Sequence, residues 1–435
     1  MTTDINPTID AVWRIEAAKV IAGIARIVRD VGVAEELAQD ALVAALEQWP
    51  ESGIPRNAGA WLMAVGKRRA IDHVRRQASF KRKLAELGAD AVTEGEGVEV
   101  DFEAVADGHI EDDLLRLVFT ACHPVLNTEA RVALTLRLVG GLTTGEIARA
   151  FLMPTATVAQ RIVRAKRTLA EAHVPFELPP PSELGNRVGS VLGVIYLIFN
   201  EGYAATAGQD WVRPELCQDA MRLGRILAEL LPREAEVHGL VALMELQASR
   251  LHARVDADGK PILLLEQNRA RWDHLLIRRG LASLQRAEAL GGALGPYAMQ
   301  AAIAACHAQA RTAQETDWAR IAALYDALAQ IAGSPVVELN RAVAVSFAFG
   351  AETGLEIVDA LLSEPALQGY HLLPAVRADL LIKLGRGPEA RHEFERAAAL
   401  TRNEREKELL LNRAAELSGG PLDGDCDAEH RAAGR

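Results

Sequence analysis

The stretch from Gly141 to Leu169 constrains the fold of this chain most, because it has the pattern of two helices joined by a tight turn. Thr143 or Thr144 can cap the first helix, and Glu146 lies in its opening turn. The break falls within Leu152–Pro154, because a proline disfavours the helical conformation in the residue before it. The stretch therefore predicts a helix-turn-helix.

The second helix of this pair, which starts at Thr155 or Thr157, is predicted to be amphipathic and basic. Apolar residues recur at i, i+4, i+7 and i+11, namely Val158, Ile162, Ala165 and Leu169. Polar and basic residues lie beside that stripe: Thr157, Gln160, Arg161, Arg164 and Arg167. The first acid after them is Glu171. A basic second helix of this kind fits the DNA major groove, although a solvated basic face is also common in all-α proteins.

Composition limits the classes of function. A chain of 435 residues can form several domains, and its net charge of -11 means that any DNA contact must come from local patches. Four cysteines (Cys122, Cys217, Cys306, Cys426) lie far apart without CxxC spacing, so neither zinc nor disulfides are expected. The N-terminus is no signal peptide, and the longest apolar run, Val188–Phe199, is too short to cross a bilayer. We expect a cytoplasmic protein without cofactor, metal or membrane contact.

A second basic segment lies in the N-terminal part of the chain. Helices are predicted over Ala11–Arg29 and Ala34–Trp49, followed by a loop over Pro50–Ala58. The helix from Trp61 to Lys83 then carries eight lysines and arginines against the single acid Asp72. So lopsided a run after an aromatic residue is typical of a phosphate-binding surface, although Asp72 and Arg76 could also pair on the helix.

Between the two basic modules, Leu84–Ile110 is rich in acids and glycines and predicts a flexible acidic linker. Helices beginning at Glu111 and Thr128 lead into the helix-turn-helix, and this module ends near His173. A proline-rich joint follows.

The last half of the chain has the period of tetratricopeptide repeats. Gly385, Ala390, Phe394 and Ala397 fit the pattern of such a repeat. Equivalent positions at Ile321, Leu355 and Ala390 are about 34 residues apart, the expected repeat length. Further helices are predicted upstream over Pro214–Leu231, Glu234–Arg254, Arg271–Leu290 and Pro296–Gln309, interrupted by the turn Asp256–Pro261. The chain is therefore predicted to be all-α and to end in an α-solenoid.

The sequence motifs that could indicate an enzyme have simpler explanations, and no catalytic residue is predicted. The glycines of Gly385–Ala390 imitate a dinucleotide fingerprint but lie in a helix-helix turn rather than after a strand. His392-Glu393 lacks the second histidine of a zinc protease motif. Asn200–Tyr203 is the best remaining candidate for a small-molecule site, although a helix-ending turn with a glycine is the simpler explanation and is favoured.

Taken in order, these features resemble an extracytoplasmic-function sigma factor of bacterial RNA polymerase, of the subgroup with a long C-terminal extension of tetratricopeptide type. The resemblance covers about Ala11 to Arg413. It rests on Leu115–Phe119, Cys122–Pro124, Ala133–Arg137, Gly141–Thr143, Arg164–Lys166, Phe199–Tyr203, Trp272–Asp273, Gly295–Tyr297, Leu339–Ala342 and Tyr370–Pro374. It implies sigma region 2 over 1–85, the acidic linker over 86–110, sigma region 4 over 111–174, a joint over 175–186, a tetratricopeptide-like extension over 187–417 and a disordered tail over 418–435.

The resemblance also assigns roles to residues. Region 2 would bind the melted -10 element through a loop that captures a flipped base and a helix that tracks the single strand; the residues are Arg56, Asn57, Trp61, Lys67, Arg68, Arg69, Arg75 and Arg76. The second helix of region 4 would read the -35 element in the major groove, with Thr155, Thr157, Gln160, Arg161, Arg164 and Arg167. The helix over Ala34–Trp49 would grip core polymerase through Leu37, Asp40 and Leu42. The partners are core RNA polymerase, promoter DNA and, as a candidate, a protein or peptide ligand of the solenoid.

Two other classes of function stay open at this point. A one-component regulator would bind an operator through the helix-turn-helix and use the solenoid as a sensor, which leaves the first basic module and the acidic linker unexplained. A tetratricopeptide scaffold would explain only the last half. For a sigma factor, we expect the extension to control activity in cis, either by masking the DNA helix or by helping to hold polymerase.

Overall fold

Helices account for nearly all regular structure in the computed structural model, which describes residues 6–87, 110–205, 211–291 and 294–417. Within these ranges there is no strand, only one isolated bridge between Val255 and Pro261 in the predicted turn. The helices are α1 (Asn6–Val28), α2 (Val31–Ser52), α3 (Ala58–Leu87), α4 (Ile110–Ala121), α5 (Thr128–Leu138), α6 (Thr144–Ala150), α7 (Thr155–Glu171), α8 (Pro181–Tyr203), α9 (Pro214–Leu230), α10 (Ala235–Ala248), α11 (His274–Ala289), α12 (Pro296–Gln309), α13 (Trp318–Ala332), α14 (Pro335–Phe349), α15 (Ala351–Ala360), α16 (Leu372–Lys383), α17 (Gly387–Leu400) and α18 (Glu404–Glu416). The all-α prediction is confirmed.

Several predicted boundaries are corrected. Helix α2 continues through Pro50 to Ser52, so the loop before α3 is only residues 53–57. Helix α3 reaches Leu87, beyond the predicted start of the linker, and α8 begins at Pro181, inside the predicted joint. The remainder of the linker (88–109) and the predicted tail (418–435) lie outside the described residues.

The chain forms two compact units, and their division does not follow the predicted boundary at residue 187. The first unit comprises Met1–Tyr203, Arg213–Met244 and Arg286–Gly291, and the second comprises the remainder. Both predicted sigma modules and the first two helices of the extension, α8 and α9, therefore belong to the first unit.

The core of the first unit is built around α1. This helix packs against α2 and α3 of region 2 and also against α4 of region 4, with Val20 and Ile24 almost fully buried. Gly141, just before α6, has φ +70, and a Cβ there would lie 3.3 Å from the Arg14 carbonyl oxygen. The two predicted DNA-binding modules are thus in direct contact.

The second unit contains the helix pairs predicted from the repeat period. Consecutive helices from α12 to α18 pack against each other, and Leu355, Ala390 and Phe394 lie in a shared core. Ile321 lies in a second cluster with Leu328. Across the described ranges, the helices are all too short or too polar to span a bilayer.

Candidate nucleic-acid interface

The helix-turn-helix begins with a capping box at the start of α6. The Glu146 N–H donates to the Thr143 hydroxyl at 3.1 Å, and the Thr143 N–H donates to the Glu146 carboxylate at 2.7 Å. These bonds satisfy donors that a helix start leaves open. Burial raises the pKa of Glu146, but the bonds from Thr143 and the charges of Arg14 and Arg149 outweigh it, so the pKa is lowered.

The turn between α6 and α7 has a fixed geometry. Leu152 adopts a left-handed conformation with φ +50, and the Met153 N–H donates to the Ala148 carbonyl at 2.9 Å. Helix α7 begins at Thr155, directly after Pro154, which provides no side-chain cap. The predicted break is confirmed, and of the two predicted starts Thr155 is the correct one.

Helix α7 has a buried and an exposed face. The buried residues are those predicted, Val158, Ile162, Ala165 and Leu169. Most of the residues predicted to read the -35 element are exposed: Thr155, Thr157, Gln160, Arg164 and Arg167. The Arg167 guanidinium pairs with Glu171 at 2.6 Å on the surface, whereas Arg164 has no ion pair among the described residues. The exposed face therefore combines hydrogen-bonding groups with one unpaired positive charge.

Arg161 does not share this face, which corrects the prediction that it lies on the exposed side with Arg164. It is half-buried, with Nη1 3.7 Å from the Met153 sulfur. It lines a cavity of about 220 Å³ together with Leu197 and Glu201 of α8. Since a helix advances about 100° per residue, position 161 falls beside the buried stripe rather than opposite it.

The predicted flipped-base loop of region 2 is short and exposed. Arg56 and Asn57 are both exposed at its end. The Asn57 side-chain oxygen accepts a hydrogen bond from the Ala60 N–H at 3.0 Å, so it caps the start of α3. Trp61, in the first turn of α3, is half-buried and packs edge-on against Trp49 with 5.3 Å between ring centroids.

Further along α3, the residues predicted to bind the -10 element differ in solvent exposure. Arg68, Arg75 and Arg76 are exposed, whereas Lys67 and Arg69 are half-buried. The Arg76 guanidinium donates to the backbone carbonyl of Asp72 at 3.2 Å rather than to the Asp72 carboxylate. Its charge therefore stays available on the surface.

The residues predicted to bind polymerase lie on α2 in three different environments. Leu37 is buried, Leu42 is half-buried and Asp40 is exposed. Asp40 pairs with Arg69 of α3 at 3.0 Å, so one residue assigned to polymerase and one assigned to DNA neutralise each other in this structure.

Buried ion pairs hold the two modules together, and sequence reasoning missed them. Glu35 of α2 is only 4% exposed and pairs with both Arg137 of α5 and Lys166 of α7. Asp113 of α4 pairs with Arg26 of α1 at 3.6 Å. Burial raises the pKa of Asp113, although Arg26 and Arg116 act in the opposite direction. Residues so far apart in the chain leave no local pattern that would reveal such pairs.

Three arginines of the extension donate to backbone carbonyls of region 4. Arg187 of α8 donates to the Phe119 carbonyl at 2.8 Å, near the end of α4. Arg222 of α9 donates to the Gly140 carbonyl, just after α5. Arg213, directly before α9, donates to the Ala150 carbonyl at 2.6 Å, and Ala150 is the last residue of α6. These carbonyls lie where helix ends leave acceptors unpaired.

The segment Asn200–Tyr203, predicted as a candidate small-molecule site, forms the end of α8. Glu201 pairs with Arg213 at 2.5 Å. A Cβ on Gly202 would lie 2.7 Å from the Cys217 nitrogen, so glycine allows α8 and α9 to approach closely. This geometry supports the simpler explanation, a helix end with a glycine, and gives the segment a structural role.

Fold and site together define a helical DNA-binding protein with two basic modules, and the comparisons identify its family. The family model of Sigma-70 region 2 matches residues 15–80, that of Sigma-70 region 4 matches residues 116–169, and a family of unknown function (DUF6596) matches residues 187–288.

Among similar proteins, the "Uncharacterized protein R00370" of Rhizobium meliloti (strain 1021) is 42% identical over 402 residues, covering 92% of this chain and 94% of that protein. The "ECF RNA polymerase sigma factor SigK" of Mycobacterium tuberculosis (strain ATCC 25618 / H37Rv) is 31% identical over 156 residues, 35% of this chain and 78% of SigK. The "Probable ECF RNA polymerase sigma factor SigI" of M. tuberculosis (strain CDC 1551 / Oshkosh) is 27% identical, over 40% of this chain and 58% of SigI. The chain belongs to the ECF RNA polymerase sigma factors.

Proposed function

We propose that this chain binds core RNA polymerase through α2 and directs promoter-specific initiation, with α7 reading the -35 element and α3 engaging the melted -10 strand. We further propose that it belongs to the subgroup with a tetratricopeptide-like extension, and that the extension modulates its activity in cis. The observation that carries the proposal is the exposed row on α7. It lies opposite the buried stripe and combines Gln160 and Arg164, side chains suited to base edges and phosphates.

For the -10 element, the exposed arginines of α3 supply the charge that single-stranded DNA requires. Trp61 is partly buried and packs against Trp49, so base stacking there would use only the part of the ring that stays accessible. The polymerase assignment of Leu37, Asp40 and Leu42 rests on the family alone.

The position of α8 and α9 favours support over masking. They contact the ends of region 4 helices through Arg187, Arg213 and Arg222. The reading face of α7, including Gln160 and Arg164, stays exposed. An extension that masked the DNA helix through these two elements would cover that face instead.

Co-purification with core RNA polymerase, followed by selection of a promoter from a randomised duplex pool, tests the sigma-factor role. A sigma factor retains DNA preference only as part of the holoenzyme and directs transcript starts, whereas a one-component regulator would bind its operator without polymerase. Operator binding without polymerase would contradict the proposal and favour a one-component regulator.

Two truncations test the role of the extension. A stop after Glu177 removes α8, α9 and all later helices. We expect it to reduce promoter binding, because region 4 loses the hydrogen bonds from Arg187, Arg213 and Arg222. A stop after Ser249 keeps α8, α9 and α10, and we expect it to retain promoter binding, so that any change in transcript level reports the part of the extension after α10. Equal transcription from both truncated proteins and the full chain would contradict modulation in cis.

A further inference from the structure

We propose that α8 and α9, which lie at the start of the segment that matches the family of unknown function, complete region 4 and set the position of its recognition helix, α7. Arg213 is the positioning residue for promoter reading. This inference rests on the proposed function, because it concerns how α7 meets the -35 element.

The physical basis is the unpaired end of a short helix. Helix α6 has only seven residues, so its last carbonyls make up a large share of its backbone acceptors, and each needs a partner. The bonds that close its end come from the turn itself: the Phe151 N–H donates to the Ile147 carbonyl and the Met153 N–H to the Ala148 carbonyl. The Ala150 carbonyl is served by the Arg213 guanidinium instead. A charged donor at a helix C-terminus also complements the helix dipole.

This carbonyl is the point at which the direction of α7 is determined. Ala150 directly precedes the turn in which Leu152 takes its left-handed conformation. A shift of the Ala150 carbonyl would be transmitted through the turn, residues 151–154, to Thr155, the first residue of α7.

Arg213 is itself held rigidly, as a positioning residue must be. It is 8% exposed and pairs with Glu201 at 2.5 Å. Its backbone N–H donates to the Gly202 carbonyl at 2.7 Å. Close approach of α8 and α9 at Gly202 fixes the backbone on both sides. The guanidinium therefore cannot follow α6 without disturbing two helices of the extension.

Apolar packing alone does not fix α6 and α7 against α8. A cavity of about 220 Å³ lies between them, lined by Phe151, Met153 and Arg161 from the helix-turn-helix and by Leu197 and Glu201 from α8. Since side chains do not fill this cavity, the position of α6 and α7 relative to α8 depends more on the hydrogen bond from Arg213 than it would in a closely packed interface.

The test uses the full chain and its reconstituted holoenzyme. Arg213→Met keeps the aliphatic stem but removes the donors, Arg213→Lys restores one charged donor, and Arg233→Met is the matched control because Arg233 is exposed with no partner in the described structure. Hydrogen exchange is measured on the free proteins over residues 144–157 and over α1–α3. Binding is measured on the selected promoter and on the same duplex with its upstream element scrambled.

We expect Arg213→Met to speed exchange over residues 144–157 while α1–α3 stay protected. We also expect it to reduce the preference for the intact upstream element on the order of tenfold, the size of one lost base contact. Arg213→Lys should restore part of both losses, and Arg233→Met should match the natural chain. Unchanged exchange over residues 144–157, or faster exchange with an unchanged preference for the upstream element, would overturn the inference.

If Arg213→Met unfolds the protein as a whole, Glu201→Gln takes its place, since it loosens the guanidinium without removing the donor to Ala150. It must then raise exchange over residues 144–157 selectively, and equal exchange there overturns the inference. Because exchange is read without polymerase or DNA, it decides the positioning role even if the chain proves not to be a sigma factor. Failure of polymerase binding in every variant, including Arg233→Met, would instead count against the proposed function.

Discussion

At the scale of residues, Arg164 is the side chain on which DNA reading by α7 depends most. It is exposed on the face opposite the buried stripe and has no ion pair in the described structure, whereas the neighbouring Arg167 is paired with Glu171. Arg164→Ala should weaken promoter binding by about 1–3 kcal/mol if a base contact is lost, or mainly lower the salt dependence if a phosphate contact is lost. Polymerase binding should not change.

Filter binding of the holoenzyme at two salt concentrations measures this effect. Arg391→Ala is the matched control, because Arg391 is an exposed helical arginine paired with Glu395 in the second unit. Promoter affinity equal to that of the control would show that another face of α7 meets DNA.

His307 predicts a pH dependence of stability in the second unit. Burial and then the charges of Arg250 and Arg269 lower its pKa from 6.5 to about 4. The unfolded chain therefore binds this proton more tightly than the folded chain. Stability from the neutral ring is complete above pH 6.5 and is lost as the pH falls towards 4, by roughly 3 kcal/mol at most.

Urea denaturation at pH 5 and pH 7 should show a larger loss for the natural chain than for His307→Gln. The exposed residue His392 gives the control, and its change to glutamine should leave the pH dependence as it is. The same pH dependence in all three proteins would contradict the burial of a neutral His307.

Local residue patterns were predictable where the chemistry is local. The capping box of Thr143 and Glu146 and the buried stripe of α7 follow from spacing alone, and the structure confirms them. The half-buried state of Arg161 could not be foreseen in the same way, because the cavity that this side chain lines is shared with Leu197 of α8, some 36 positions further along the chain. Nor could the bond from Arg213 to Ala150, which joins residues 63 positions apart.

At the scale of elements, α3 predicts a defect in promoter melting. Arg75 and Arg76 are exposed in the second half of this helix. Positive charges of this kind bind the phosphate backbone of single-stranded DNA and do not distinguish its bases. Changing both to glutamine should impair open-complex formation more than duplex binding, which a permanganate footprint on the selected promoter would reveal.

A pre-melted template is the control for that variant. It should restore most of the activity, because the cost of strand separation has been removed. No restoration would place the defect elsewhere, in folding or in polymerase binding.

Element boundaries were predicted less well than element types. Pro50 was expected to end α2, yet the helix continues because its last turn is closed by other donors. The Gly53 N–H donates to the Trp49 carbonyl at 2.9 Å, and the Ser52 hydroxyl donates to the Gln48 carbonyl at 2.9 Å. A proline near the C-terminus removes one bond without preventing those that follow.

At the scale of the whole molecule, regions 2 and 4 are held in contact within the first unit by buried charge. Glu35 pairs with both Arg137 and Lys166, and breaking a buried pair is strongly destabilising because a charge is left without its partner. Glu35→Gln should therefore lower the free energy of unfolding of the first unit by about 3–5 kcal/mol.

A double-mutant cycle with Lys166→Met isolates the contact between modules. The two changes should be non-additive by about 0.5–3 kcal/mol in urea denaturation, whereas Glu47→Gln, an exposed change on the same helix, should add independently to Lys166→Met. Additive effects of the Glu35 and Lys166 changes would mean that the modules are not held together at this point.

The domain class was predictable because each module carries its own local signature, whereas the assembly of the first unit was not. The docking of α8 and α9 onto region 4 could not be predicted, since their contacts are made by arginines that look like ordinary surface residues in the sequence. The predicted break at residue 187 therefore separates helices that the structure places in one unit.

The most direct measurement of the central claim is transcription by purified core RNA polymerase with and without this chain, on the promoter selected from the randomised pool. We predict that core polymerase alone gives no specific transcript, that the chain restores a single start site, and that changing either the upstream or the downstream element removes it. Specific binding of the chain to the same DNA without polymerase, with no gain in transcript, would contradict the account.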